Sequence, residues 1–175
     1  HEALHMEVNM RTLWAAVLTV GLGAACGPAR LTDERRAAIV DSVEHVVHGM
    51  LDAANHRDAA GFVGVYVDEA VMAYNGVIYS TRDSYRAALD SVWQGLAGLE
   101  TRPMALRTLV LGPDAAVSMV PFAVTLSTTS GQQVTTQGVY TMLLQRRGNA
   151  WRVLRSHESE QHLDQLLQAV MRAPR

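Results

Sequence analysis

The sequence predicts an α+β domain in which helices cover one face of a curved antiparallel sheet, and three observations carry that prediction. Ile39, Val43, Val46, Val47, Met50 and Ala54 fall on one stripe at helical spacing. Beyond residue 104 the apolar period becomes extended, in segments broken only by turn-forming residues. Asn75-Gly76 between two short extended runs is a strong two-residue hairpin signal. Helices first and a strand meander afterwards is the order of an α+β fold, whose sheet must bury one face against those helices.

The elements follow in order. Thr32 caps a first helix with Asp33 and Glu34 in its opening turn, where carboxylates favour the helix dipole. Asp41, His45, His48 and Asp52 take the opposite, solvated side. Asp58 caps a short helix from Ala59 to about Val67, Ala70 to Tyr74 is extended, and Val77 to Ser80 returns after the Asn-Gly turn. Thr81 caps a helix whose stripe is Tyr85, Leu89, Val92 and Leu96, flanked by Trp93. Strands are then expected over Met104 to Leu111, Ala115 to Thr129, Gln133 to Arg147 and Trp151 to Ser159. A last helix from about Glu160 to Met171 carries Leu163, Leu166, Leu167 and Val170.

Composition bounds the function. Of 175 residues 49% are hydrophobic and 18% charged, a profile that folds rather than stays disordered. The net charge of −2 with no basic stripe removes electrostatic support for a nucleic-acid partner. All 15 basic residues are arginine, as a GC-rich bacterial genome would give. Residues 1–25 read as a leader: His1 to Asn9 is set apart as a non-native extension or an over-run of the start. Arg11, the apolar run from Leu13 to Val20 and small residues up to Ala25 then form an export signal. The apolar run ends after about 14 residues, short of the ~20 that span a bilayer. Small residues before the single Cys26 resemble the lipobox of bacterial lipoproteins, with Gly23 departing from the usual leucine. Cys26 is therefore the expected lipidation site, residues 26–31 a tether, 32–159 the folded domain and 160–175 a C-terminal helix and tail. The location so implied is the cell envelope, anchored to a membrane and facing the periplasm or exterior.

The motifs Ala53-Ala54-Asn55-His56-Arg57-Asp58, Val65 to Val71, Thr81-Arg82-Asp83, Gly138 to Leu144 and Gly148 to Leu154 followed by His157 together resemble the nuclear transport factor 2-like superfamily, in its SnoaL-like and ketosteroid isomerase-like branch. The resemblance implies a cone-shaped, cystatin-like fold enclosing a pocket, and a homodimer formed through the sheet. It fixes no activity, because that fold hosts isomerases, cyclases, dehydratases and non-catalytic binders. The position aligned with the isomerase base is Tyr74, and a phenol with a reference pKa of about 10 is a poor base at neutral pH. Tyr74 is thus a strand residue or a pocket hydrogen-bond donor.

Among titratable groups His157 stands out, since imidazole suits proton transfer near neutral pH. By a strict period of two, Trp151, Val153, Arg155 and His157 share one strand face, which would let Arg155 and His157 address an anionic or carbonyl-bearing ligand. Met50, Trp93, Met119, Phe122 and Tyr140 are the expected apolar lining, each equally suited to the core. Glu44-His45-Val46-Val47-His48 lacks the H-E-x-x-H order and points to solvent, so no metal is expected. No cofactor is implied, and no nucleophile elbow, phosphate loop or paired carboxylate stands out. The leading expectation is a small-molecule-binding envelope protein without an assembled catalytic apparatus. The alternatives are an isomerase-, dehydratase- or polyketide cyclase-type enzyme with His157 as acid/base and Tyr74 as donor, and a dimeric interaction module whose pocket is filled by its own side chains.

Overall fold

A computed structural model describes residues 31–161. Cys26, the export signal and most of the expected C-terminal helix lie outside the described residues. None of the described helices is long and apolar enough to cross a membrane.

Helix α1 runs Asp33–Asn55, with the Thr32 hydroxyl accepting from Arg35 N–H at 3.2 Å. Its buried stripe is Ile39, Val43, Val47, Met50, Leu51 and Ala54, so the helical period selected the inward side nearly as expected. His45 and His48 are exposed, and no metal-binding cluster of His, Cys, Asp or Glu occurs among the described residues. Helix α2, Ala59–Val63, is capped by Asp58 and is shorter than expected, because strand β1 already begins at Tyr66. Strand β1 (Tyr66–Tyr74) turns through Asn75 and Gly76, both at positive φ as a type I′ turn requires, into β2 (Val77–Tyr79). Helix α3, Arg82–Trp93, follows the Thr81 cap.

Leu96–Pro103 forms a strand, β3, so Leu96, expected on the stripe of the preceding helix, opens a strand instead. It is fastened to the end of α1: Asn55 Oδ1 accepts from Thr101 N–H at 2.6 Å, Asn55 Nδ2 donates to Thr101 C=O at 3.2 Å, and the Arg57 guanidinium donates to Leu96 C=O. Strands β4 (Arg107–Gly112), β5 (Ala115–Thr128), β6 (Gln133–Arg147) and β7 (Ala150–Glu160) complete a seven-stranded sheet in the order β2-β1-β7-β6-β5-β3. Strand β4 shares the β5 edge with β3, pairing Ala115 to Met119 while β3 takes Phe122 to Thr128. The β5-β6-β7 meander is antiparallel as expected, whereas β1 joins β7 in parallel, which local periodicity does not disclose.

One irregularity decides which side chains face the helices. Leu144 pairs with Val153 and Leu143 with Arg155, so Leu154 is an extra residue, a β-bulge. A one-residue insertion reverses the alternation beyond it. Trp151 and Val153 point inward before the bulge; Ser156, Glu158 and Glu160 point inward after it, and Arg155, His157 and Ser159 are exposed. The expected common face of Trp151, Val153, Arg155 and His157 is corrected accordingly. Register then aligns inward rows across the sheet: Val120, Tyr140, Glu158 and Tyr74 in one, Phe122, Gly138 and Glu160 in the next. Gly138 is required there, since a Cβ would sit 2.6 Å from the Phe122 ring and 2.7 Å from Ser159 C=O.

Candidate functional site

Between the inner sheet face, α3 and the C-terminal half of α1 lies a cavity of about 160 Å³. That volume matches an engineered apolar cavity of about 150 Å³ that holds benzene, so the space suits a single six-membered ring. Most of the wall is apolar: Phe62, Leu89, Trp93, Phe122 and Leu126 contribute to it. Phe62 meets Trp93 edge-on with ring centroids 5.6 Å apart, and Tyr85 and Tyr140 likewise at 6.2 Å each, which fixes the aromatic side of the cavity.

The polar end is built from the two strand rows. Glu158 and Glu160, two residues apart on β7, both line the cavity. Tyr85 donates its O–H to Glu158 Oε2 at 3.3 Å and lies 2.7 Å from the Tyr140 hydroxyl, which completes a chain of hydroxyls to the carboxyl. Tyr74 donates to Glu160 Oε2 at 3.2 Å. The hairpin turn clamps this strand end, because Asn75 N–H donates to Glu158 C=O at 3.1 Å and Asn75 Oδ1 accepts from Glu160 N–H at 3.0 Å. Asn75 Nδ2 is sealed from solvent without a hydrogen-bond partner. Deeper in the fold Tyr66 donates to Ser156 Oγ at 3.1 Å.

Burial controls the protonation of this group. Loss of water, reinforced by the neighbouring Glu160 charge, pushes Glu158 up to about 8 although the Tyr140 and Tyr85 hydroxyls pull it down. Glu160 is also raised by burial, against the lowering effect of Tyr74. Burial lifts Tyr74, Tyr85 and Tyr140 above the ordinary phenol value, with the nearby glutamates adding to it, so they remain hydrogen-bond donors. Near neutral pH, Glu158 is therefore a neutral carboxylic acid that can itself donate.

Of the ligand-contacting residues expected from the sequence, Tyr74, Trp93, Phe122 and Tyr140 line this cavity. The other four do not. Met50 is fully buried in the α1 core, Met119 is 44% exposed on the outer sheet face, and Arg155 and His157 are turned outward by the Leu154 bulge. The same bulge means that His157, the acid/base of the enzymatic alternative, stands outside the cavity, and that the paired carboxylates not recognised in the sequence line it. The signal for them was present as Glu-x-Glu at the end of a strand, but only a shifted register reveals its inward side.

A family model described as the SnoaL-like domain matches residues 35–157, and the chain belongs to that family. A search of the curated proteins finds no match. Among solved structures, the chain is similar to a protein assigned as a scytalone dehydratase from Novosphingobium aromaticivorans, at 10% identity, covering 74% of this chain and 89% of that one, with a TM-score of 0.67. It is also similar to the hexachlorocyclohexane dehydrochlorinase LinA-type3 of Novosphingobium barchaimii, at 16% identity, 75% and 92% coverage and a TM-score of 0.66. A Mycobacterium tuberculosis protein of unknown function shows 18% identity, 85% and 96% coverage and a TM-score of 0.67. At these identities the likeness is one of fold, the cystatin-like, nuclear transport factor 2-like architecture that the sequence motifs resemble.

The Glu158 shift predicts a pH dependence of stability. A carboxyl raised from 4.5 in the unfolded chain to about 8 in the folded one binds an extra proton on folding throughout that interval. Its contribution therefore falls as pH rises from about 4.5 to about 8, with a slope approaching about 1.4 kcal/mol per pH unit, and levels off above. Urea unfolding of wild type and Glu158→Gln across pH 4 to 9 should show the variant gaining relative stability over this window; a constant difference would refute the shift.

Proposed function

We propose that this SnoaL-like domain binds a ring-sized, largely apolar molecule with one polar end and transfers a proton to and from it at the Glu158/Glu160 pair. The observation that carries this reading is the carboxyl pair itself: two acids held by tyrosine hydroxyls at the polar end of an otherwise apolar cavity. Burying a carboxyl is costly and contributes nothing to packing that an apolar side chain would not, so perturbed acids in a cavity favour a functional role. For a carbonyl ligand, neutral Glu158 would donate to the carbonyl oxygen while ionised Glu160 removes the proton from the adjacent carbon. The developing oxyanion would then face a donor already in place, as in sites where an environment keeps one of two carboxyls neutral. Dehydratase and dehydrochlorinase, the names of two fold neighbours, denote eliminations, which likewise include proton loss.

Cyclohexanone in D₂O tests the chemistry directly. The wild-type domain should accelerate deuterium exchange at the carbons beside the carbonyl, with the rate falling above about pH 8 as Glu158 loses its proton. Glu160→Gln should lower the rate by about 10² or more, and His157→Ala should leave it unchanged. Binding of cyclohexanone without exchange above buffer would reduce the domain to a binding module, and loss of exchange in His157→Ala would restore the histidine mechanism.

We further infer that the domain acts as a homodimer at the cell envelope. Support for the dimer is the outer sheet face, where Leu109 and Met119 are 61% and 44% exposed and Val117, Pro121, Val139 and Leu143 extend the apolar area. Sedimentation at micromolar concentration should give a dimer for wild type and a monomer for Leu109→Glu/Met119→Glu; a wild-type monomer would contradict it. Support for the envelope location is the Cys26 signal in the sequence. Full-length protein expressed in a bacterium should incorporate labelled palmitate, and Cys26→Ala should not; equal labelling would remove the anchor.

A further inference from the structure

We propose that the cavity also accepts ring-sized organic ammonium ions, the nitrogen seated at Glu158 and Glu160 and the ring against the aromatic wall. This rests on the reading of the cavity as a ligand site and adds the charge it selects. Among the described residues every ionisable side chain lining the cavity is an acid or a phenol, with no arginine or histidine, and the chain contains no lysine. Among the described residues an anionic ligand would meet no counter-charge there and would face two carboxyls. A cation would meet both, while its hydrocarbon ring packs against a wall that includes Phe62, Trp93, Phe122 and Tyr85.

The groups facing Glu158 from each packed element share this character. They are Glu160 on its own strand, Tyr74 and Tyr66 from β1, Tyr140 from β6 and Tyr85 from α3, while α1 contributes only Leu51 and Ala54 to the cavity. None is basic. With the cavity free, the two acids resist ionising together; an ammonium ion between them would remove that resistance. Amine binding should therefore tighten as pH rises, because less proton must be displaced from Glu158, whereas a neutral ligand that accepts from the protonated acid should not tighten.

Three probes of one shape separate the possibilities: cyclohexylammonium, cyclohexanol and cyclohexanecarboxylate. An alkylammonium keeps its proton to about pH 10, as the lysine side chain does. Titrations of the domain at pH 6 and pH 8.5, by calorimetry and by amide chemical shifts of cavity residues, should show cyclohexylammonium binding at least tenfold more tightly at the higher pH and more tightly there than cyclohexanol. Cyclohexanecarboxylate should be the weakest. The double variant Glu158→Gln/Glu160→Gln should lose the ammonium preference and its pH dependence while still binding cyclohexanol, a result that excludes misfolding as the cause. Cyclohexanol binding equal to or tighter than the ammonium ion at both pH values would overturn the proposal and leave the ring-binding cavity standing. If none of the three shifts a cavity amide, the cavity reading itself falls and this inference with it.

Discussion

Leu154 is the residue on which the site depends. As the unpaired member of a β-bulge in β7, it reverses the inward and outward alternation of everything after it. Without that insertion, the strand end would direct Arg155 and His157 inward and both glutamates to solvent. With it, the sheet presents Ser156, Glu158 and Glu160 to the helices and turns a basic, histidine-bearing edge outward. The neighbouring strands are built to receive this face. Gly138 leaves room for Phe122 beside Glu160, and the Asn75 turn holds the backbone of both glutamates through two hydrogen bonds.

The electrostatics follow from that placement. Two carboxyls close together in a largely apolar space cannot both be ionised at little cost, and the surroundings supply hydroxyls rather than a base to relieve them. Tyr85 and Tyr74 each stabilise the charged form of one acid by donating to it, yet desolvation dominates. The outcome is an acid that stays protonated near neutral pH beside a second that ionises more readily. Such a division of roles is useful for moving a proton and gives a packed core no advantage. A filled-pocket interaction module, by contrast, has no need of the carboxyl pair.

Much of the scaffold was legible from the sequence because its signals are local. The Thr32, Asp58 and Thr81 caps, the α1 stripe, the Asn75-Gly76 turn and the β6 limits each depend on residues within a few positions of one another. Features set by distant partners were not legible. The parallel β1–β7 pairing joins segments about 85 residues apart, and β3 is a strand because β5 and Asn55 hold Leu96–Pro103 in place, although Leu96 fits the helical stripe before it. The bulge was the costly omission: leucine is an ordinary strand residue, nothing local marks it as supernumerary, and one missed residue exchanged Glu158 and Glu160 for Arg155 and His157. Tyr74, Trp93, Phe122 and Tyr140 precede it in the chain, and the structure places their side chains along the cavity.

Glu158 is held as a neutral acid inside the fold, and carbon-detected NMR titration of its side-chain carboxyl reads this directly. A midpoint at about 8, with a downward displacement in Glu160→Gln, is the predicted result. A midpoint near the ordinary 4.5 would place the carboxyl in water and contradict both the inward register after Leu154 and the chemistry built on it.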